Sequence, residues 1–189
     1  IFVFALVALG TTLSAQSIGN SPYAVFGLGD VKYNNDLNIS AMGGISAAYI
    51  SDFTNSFNFG NPAANFNLEL TSLRGQVTNE NSFYKSDYNN YSKTKHSNYL
   101  SNISIAVPLS SKVKFGLGYQ PYSSKTYNIL TTKDIGNEGN QQANFFKGEG
   151  TISTVEAALS YQVIPGLGLG LRTNFYFGKV SDIEEVTFK

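Results

Sequence analysis

Apolar and polar residues alternate with a period of two along several stretches of this chain, the mark of strands with one apolar and one polar face. The clearest stretch covers residues 167–178. There Leu167, Leu169, Leu171, Phe175 and Phe177 share one face, with Thr173 among them, and Gly168, Gly170, Arg172, Asn174, Tyr176 and Gly178 share the other. Residues 154–163 repeat the pattern, with Val155, Ala157, Leu159, Tyr161 and Val163 opposed to Thr154, Glu156, Ala158, Ser160 and Gln162. Val113, Phe115, Leu117 and Tyr119 oppose Lys114, Gly116, Gly118 and Gln120, and Ile103, Ile105 and Val107 oppose Asn102, Ser104 and Ala106. A first strand is expected from Phe66, Leu68 and Leu70 against Asn67, Glu69 and Thr71, with a slip at Ser72-Leu73 that reads as a bulge. A helix is a poor competitor over residues 167–178. It would scatter the large residues around a cylinder and place interior glycines at about 1 kcal/mol each.

The connections alternate in length. Residues 108–112 and 164–166 read as short turns, whereas residues 78–98 and 121–148 are rich in Asn, Ser, Gly and Lys and read as long polar loops. In an antiparallel sheet all the short turns then fall at one end and all the long loops at the other. That is the asymmetry of a transmembrane barrel with short periplasmic turns and long extracellular loops. The fold class expected is therefore all-β, the N-terminal part of an antiparallel transmembrane β-barrel, with about five strands over residues 66–189. The apolar face meets lipid. Glu69, Lys114, Glu156 and Arg172 point into a polar lumen, where charges are ordinary, and Arg172 is expected to pair with Glu156 across one hairpin. A wall in hydrocarbon must close to pair its edges, so further strands are expected beyond residue 189.

Composition supports this reading. Charged residues make up 14% of the 189 residues, below the roughly 25% of soluble domains, and Tyr and Phe number 12 and 14. Thirteen basic residues balance thirteen acidic ones, so net charge gives no attraction to nucleic acid. The chain lacks cysteine, which removes disulfides and thiolate metal sites. Residues 1–15 read as a signal peptide without its basic start, an apolar run followed by small residues up to Ala15, too short for a membrane helix. The tyrosines at 84, 88, 91, 99, 119, 122 and 127 are expected to form an outer aromatic girdle. Enzymatic chemistry has no support: His96, the single histidine, lies in polar loop sequence, and neither a nucleophile motif nor a calcium loop is present. No cofactor or metal is expected.

Residues 16–65, between the signal and the first strand, are rich in Gly, Asn and Ser. Ala41-Met42-Gly43-Gly44-Ile45-Ser46-Ala47-Ala48 is followed by Asn61-Pro62-Ala63 just before the first strand. With Ser21-Pro22-Tyr23 and Phe26-Gly27-Leu28-Gly29-Asp30, this arrangement resembles the start of the FadL-type outer-membrane transport family, in its Bacteroidota branch. Members often carry a basic residue where Ala24 or Val25 stands here.

The resemblance implies a fourteen-stranded barrel in the bacterial outer membrane with residues 16–65 folded inward as a hatch. It implies that Asn61, Pro62 and Ala63 join hatch to wall, and that Gly43 and Gly44 let the hatch backbone pack on the wall. It also implies passive uptake of a hydrophobic small molecule such as a fatty acid, the alternative being an accessory barrel in a secretion or assembly complex. Tyr23, Phe26, Phe57 and Phe59 are then candidate contacts for an apolar solute, with packing inside the hatch as the plainer explanation. Expected partners are outer-membrane lipid, that solute and an envelope protein.

Overall fold

The computed structural model describes residues 21–32, 36–50, 56–86, 91–134 and 141–188. The signal-peptide reading of residues 1–15 lies outside them. The described residues form one open antiparallel sheet of seven strands: β1 (Asp30–Val31), β2 (Ser72–Ser86), β3 (Tyr91–Pro108), β4 (Val113–Ser124), β5 (Tyr127–Asp134), β6 (Gln141–Ile164) and β7 (Leu167–Phe188). β2 pairs with β3, β3 with β4 and β4 with β6; β7 covers the far side of β6. β4 and β5 follow each other along one edge of β6. Val113–Ser124 pairs with residues 151–161 and Tyr127–Asp134 with residues 141–148. Among the described residues, no helix is long and apolar enough to cross a membrane, which leaves crossing by strands untouched.

The sheet differs from the sequence expectation at three places. The stretch expected to open the first strand, Phe66 to Thr71, is not a strand. Pro62–Asn67 forms a 3-10 helix, because Pro62 presets the first helical dihedral and Leu68 drops into the core instead of alternating. The strand starts at Ser72, and the register shift falls between Gln76 and Val77. The stretches read as loops 78–98 and 121–148 are built largely as strand: β2 pairs with β3 up to Ser86 opposite Tyr91, and β5 with β6 up to Asp134 opposite Gln141. Outside an apolar solvent both faces of a hairpin can be polar, so period-two alternation disappears although the backbone still pairs. β7 likewise continues through Val186 to Phe188, paired with β6 to its end.

Burial is inverted relative to a water-soluble sheet. The buried face of the wall carries Asn102, Ser104, Lys114, Thr154, Glu156 and Ser160, each at most 9% exposed. The opposite face carries Ile103, Ile105, Leu117, Leu159, Leu169, Leu171 and Phe175, which are 36–71% exposed. The two sets are the alternating faces read from the sequence.

The N-terminal segment, which precedes β2, covers the polar face. A 3-10 turn at Pro22–Val25 leads into β1, then into a one-and-a-half-turn helix, α1 (Leu37–Ala41), and later into Pro62–Asn67. Asp36 caps α1 by accepting from the Asn38 and Ile39 amides.

Candidate functional site

The contact between the N-terminal segment and the polar face of the wall is the best-developed site of the molecule, and glycines in the wall make it. A Cβ on Gly116 would lie 2.7 Å from the Phe57 ring, and one on Gly118 would lie 3.1 Å from the Phe59 ring. On β7, a Cβ on Gly168 or Gly170 would come within 3.0 Å of the Ala63 backbone. The wall thus presents bare backbone at these four crossings. Phe57 packs with Leu68, Ala106 and Ala158 in the only small apolar core described, and Phe59 lies against it with ring centroids 5.0 Å apart.

Gly43 has a different duty from the one the resemblance implied. It and Gly44 sit at positive φ after α1, at 73° and 86°, and a Cβ on Gly43 would meet nothing within 4 Å. Gly43 is needed for its dihedral and not for close approach.

Asn58 is the organising polar residue, 1% exposed. Its Nδ2 donates to the carbonyls of Ser46 (2.7 Å) and Tyr49 (2.9 Å), and its Oδ1 accepts from the Asn61 amide (3.0 Å). Its own amide donates to Asn65 Oδ1 (2.6 Å), while Asn65 Nδ2 returns bonds to the carbonyls of Asn58 and Pro62. Asn61 Nδ2 donates to the Ala47 carbonyl (2.6 Å). These side chains replace the regular backbone ladder that a coiled segment lacks. Asn58→Ala removes hydrogen bonds to two part-buried carbonyls and to the Asn61 amide, and is expected to cost about 1–3 kcal/mol. Thermal unfolding together with proteolysis between residues 42 and 61 checks this.

Of the charges expected on the inner face, Arg172 and Glu156 stay neighbours and Lys114 and Glu69 lie elsewhere. Arg172 lies opposite Ala158, and Glu156 opposite Asn174, so the two are offset along the hairpin. Arg172 Nη1 donates to the Phe59 carbonyl (2.8 Å) and Glu156 accepts from Gln120, while the two charges act on each other electrostatically across the diagonal of the hairpin. Lys114 is buried and donates to the Ser110 carbonyl at the short-turn end (3.1 Å). Glu69 is exposed and lies off the strands, because its expected strand does not form. Between segment and wall remains a cavity of about 160 Å3, lined on one side by Lys32, Asp36, Phe57 and Phe59 and on the other mainly by polar wall residues such as Thr154 and Glu156. Thr154 Oγ1 and Asn174 Oδ1 are buried without a protein hydrogen bond, which suits a hydrated space more than an apolar one.

Sequence reading missed the ionic fastenings at the other end. Lys32 Nζ contacts Asp30 (2.7 Å) and Glu80 of β2 (2.9 Å) and lies 5.9 Å from the Tyr99 ring centroid. Burial pushes the Lys32 pKa down, but the two carboxylates more than offset this and hold it above its ordinary value. Arg74 Nη1 reaches Asp36 at 3.3 Å. Lys125, 4% exposed, bonds the Gly27 carbonyl (3.2 Å) and Asp182 (2.7 Å), and Tyr127 also donates to Asp182 (2.7 Å). Tyr99 and Tyr127 are therefore buried against these fastenings and do not belong to an outer girdle. Tyr122 packs edge-on against Tyr176 at 4.8 Å. By contrast Tyr23 and Phe26 are 79% and 75% exposed and lie apart from the Phe57–Phe59 pair, so the four candidate solute contacts do not converge.

Asp182 lies in the polar part of β7, beyond its apolar stretch. The hydrogen bonds from Lys125 and Tyr127 hold its pKa below the ordinary value. A carboxylate with a depressed folded-state pKa contributes stability that is complete above the unfolded value, about pH 4, and is lost as pH falls through the folded value. Asp182→Asn is expected to remove that contribution, lowering stability above about pH 4 and flattening the acid dependence below it, as a pH series of melting curves would show.

The BamG family model matches residues 1–188, the whole described sheet included. The chain belongs to the BamG family. No curated protein and no solved structure matches it. Membership overturns the resemblance to FadL-type transporters, and with it the expectation of fatty-acid uptake. The glycine-rich segment and the Asn-Pro-Ala junction that carried the resemblance are what any strand wall needs when a coiled segment packs against it. They report a packing solution and not a transported molecule. Membership in the BamG family associates the chain with the outer membrane of Gram-negative bacteria.

Proposed function

We propose that this chain is an accessory component of the machinery that assembles outer-membrane proteins, built as a lipid-facing β-barrel wall fastened to an internal N-terminal plug. The observation that carries the proposal is the BamG match across residues 1–188. The inverted burial supports a membrane setting: a polar, occupied inner face and an outer face of Leu, Ile and Phe. On β7 the outward run from Leu167 to Phe177, apolar but for Thr173, covers eleven residues, about 36 Å of strand at roughly 3.3 Å per residue. Tilted at about 45°, it matches the roughly 25 Å apolar band of such barrels. At the next alternate positions stand Lys179 and Ser181. The long hairpins β2–β3 and β5–β6–β7 then project beyond the lipid on the cell surface, and the short turns lie in the periplasm.

An accessory role favours a wall whose inside is fastened shut. Here wall glycines, the Asn58 network and the Lys32, Arg74 and Lys125 contacts hold the N-terminal segment in place along its length. The partners on this reading are envelope assembly proteins, with lipid around the wall.

The test is affinity purification of the tagged full-length protein from detergent-solubilised outer membranes, with quantification of outer-membrane proteins after its depletion. Specific co-purification of assembly components and a drop in several barrel proteins are expected. Absence of both overturns the proposal.

A further inference from the structure

Near the short turns β3 has a strand on both sides, and further out it has one. Residues 103–106 pair with β2 on one side and β4 on the other. Residues 91–102 run along β2 and, among the described residues, along no further strand. The change comes at a bulge. Gln76 faces Asn102 and Val77 faces Leu100, which leaves Ser101 as the extra residue. A bulge bends the strand that carries it and interrupts the ladder, so the outer hairpin can turn against the wall at this place. From Val77 to Ser86 it runs on for about 30 Å at roughly 3.3 Å per residue.

The N-terminal segment lies alongside this hairpin but is built onto the other strands. β1 pairs Asp30 with Ser124 and Val31 with Ser123 of β4, and the Lys32 amide donates to the Tyr122 carbonyl (2.8 Å). A Cβ on Gly29 would collide with the Ser124 carbonyl, so backbone rests directly on backbone. The Gly27 carbonyl accepts from Lys125, which also holds Asp182 of β7. Among the described residues no strand pairing joins β1 to β2 or β3. A cleft of about 690 Å3 opens between them, lined by β1, Lys32, Leu37, Tyr99 and residues 75–78. Side chains bridge it. Arg74 reaches Asp36, and Gln76 accepts from the Leu37 amide. Lys32 reaches Glu80 and the Tyr99 ring.

We infer that the outer part of the β2–β3 hairpin swings about the bulge at Ser101, and that Lys32 is the latch that holds it closed over the cleft. Asp30 aims the Lys32 ammonium from the fixed side (2.7 Å), and Glu80 receives it on the swinging side (2.9 Å). Arg74 and Gln76 stand at or before the pivot, so their bonds tie down the base of the hairpin. Glu80 and Tyr99 stand past the pivot, where a side-chain contact controls the angle. A charge-assisted bond is strong, yet this one is made and broken without unpairing any backbone. Opening it widens the cleft towards the end that carries the long hairpins. The inference rests on strand pairing and goes beyond the assembly reading, which it neither needs nor tests.

The test is double electron–electron resonance on the full-length protein in detergent. Spin labels are placed on Ser92→Cys in β3 and Thr132→Cys in β5, in a sequence that otherwise lacks cysteine. A rotation of about 10° on a lever of about 30 Å moves the hairpin tip by about 5 Å. Lys32→Met and Glu80→Gln are each expected to broaden the distribution and lengthen its mean by a distance on the order of 5 Å or more. The double variant should go no further than either single one, because both remove the same bond. Labels on Thr132→Cys and Glu185→Cys, both on the fixed side, should keep their distance in every variant. A Ser92–Thr132 distribution that either substitution leaves unchanged overturns the inference. So does a parallel change between positions 132 and 185, which is general loosening of the sheet and not a swing of one hairpin.

Discussion

Leu171→Arg is expected to destabilise the protein by about 2–4 kcal/mol in lipid bilayers, the cost of a cation on the lipid face near the bilayer midplane. Leu171 is 71% exposed and pairs with Leu159, itself 41% exposed, in the middle of the apolar stretch of β7. If water bathed this face, the same substitution would fall within about 0.5 kcal/mol, as surface changes usually do. One variant thus separates the two solvents by a margin well above experimental error. Denaturant titration of the full-length protein refolded into phospholipid vesicles gives the number. Lys179→Arg, where β7 has become polar, should be neutral in the same assay. A neutral Leu171→Arg would remove the lipid-facing wall from the proposal.

The second large effect is expected at the glycine lane. Gly168→Ala and Gly170→Ala each place a methyl within 3.0 Å of the Ala63 backbone, where no flexible side chain can swing aside. Each is expected to cost about 1–3 kcal/mol through overpacking. Because both push on Ala63, the double variant should cost less than the sum. The loss should also be local: proteolysis within residues 56–71 should rise before the hairpins unfold. Gly75→Ala is the control. A methyl there meets nothing within 4 Å, so it should change stability by no more than about 0.5 kcal/mol.

The alternating faces were legible because each residue of β3, β4, β6 and β7 near the short turns meets one of two environments. Leu169 and Leu171 point outward, and Gly168, Gly170 and Arg172 point to the N-terminal segment. The same logic hid the outer hairpins. Asn79 pairs with Asn98 and Thr131 with Asn144, both polar combinations with no alternation to read. Phe66, Leu68 and Leu70 alternated by coincidence: Leu68 is 2% exposed in the core while Leu70 is 64% exposed. Three apolar residues at spacing two fit a strand or a proline-started 3-10 helix equally well, and Pro62 was the deciding signal.

The site was legible only in its materials. Phe57, Phe59, Pro62, Ala63 and Arg172 do meet, but the solute contact offered for the two phenylalanines is replaced by packing on Gly116 and Gly118. Gly116, Gly118, Gly168 and Gly170, which receive the segment, are on the wall and were visible as the small members of each polar face, whereas Gly29, which meets Ser124 from the segment side, was not singled out for close approach. Lys32, Lys125 and Asp182 could not be found in this way. Lys32 and Glu80 are 48 residues apart, and Lys125 and Asp182 are 57 apart. Their pairing depends on strand register in hairpins that the pattern did not reveal.

By itself, the order of residues determined that this is a sheet protein with one apolar and one polar face. Those properties follow from the two-residue period of a strand, which is local. The tertiary structure alone decided how far the hairpins extend, where β3 parts from β4, and which wall glycines receive the N-terminal segment. Those properties depend on register between strands distant in sequence, and one residue of slip would exchange the two faces.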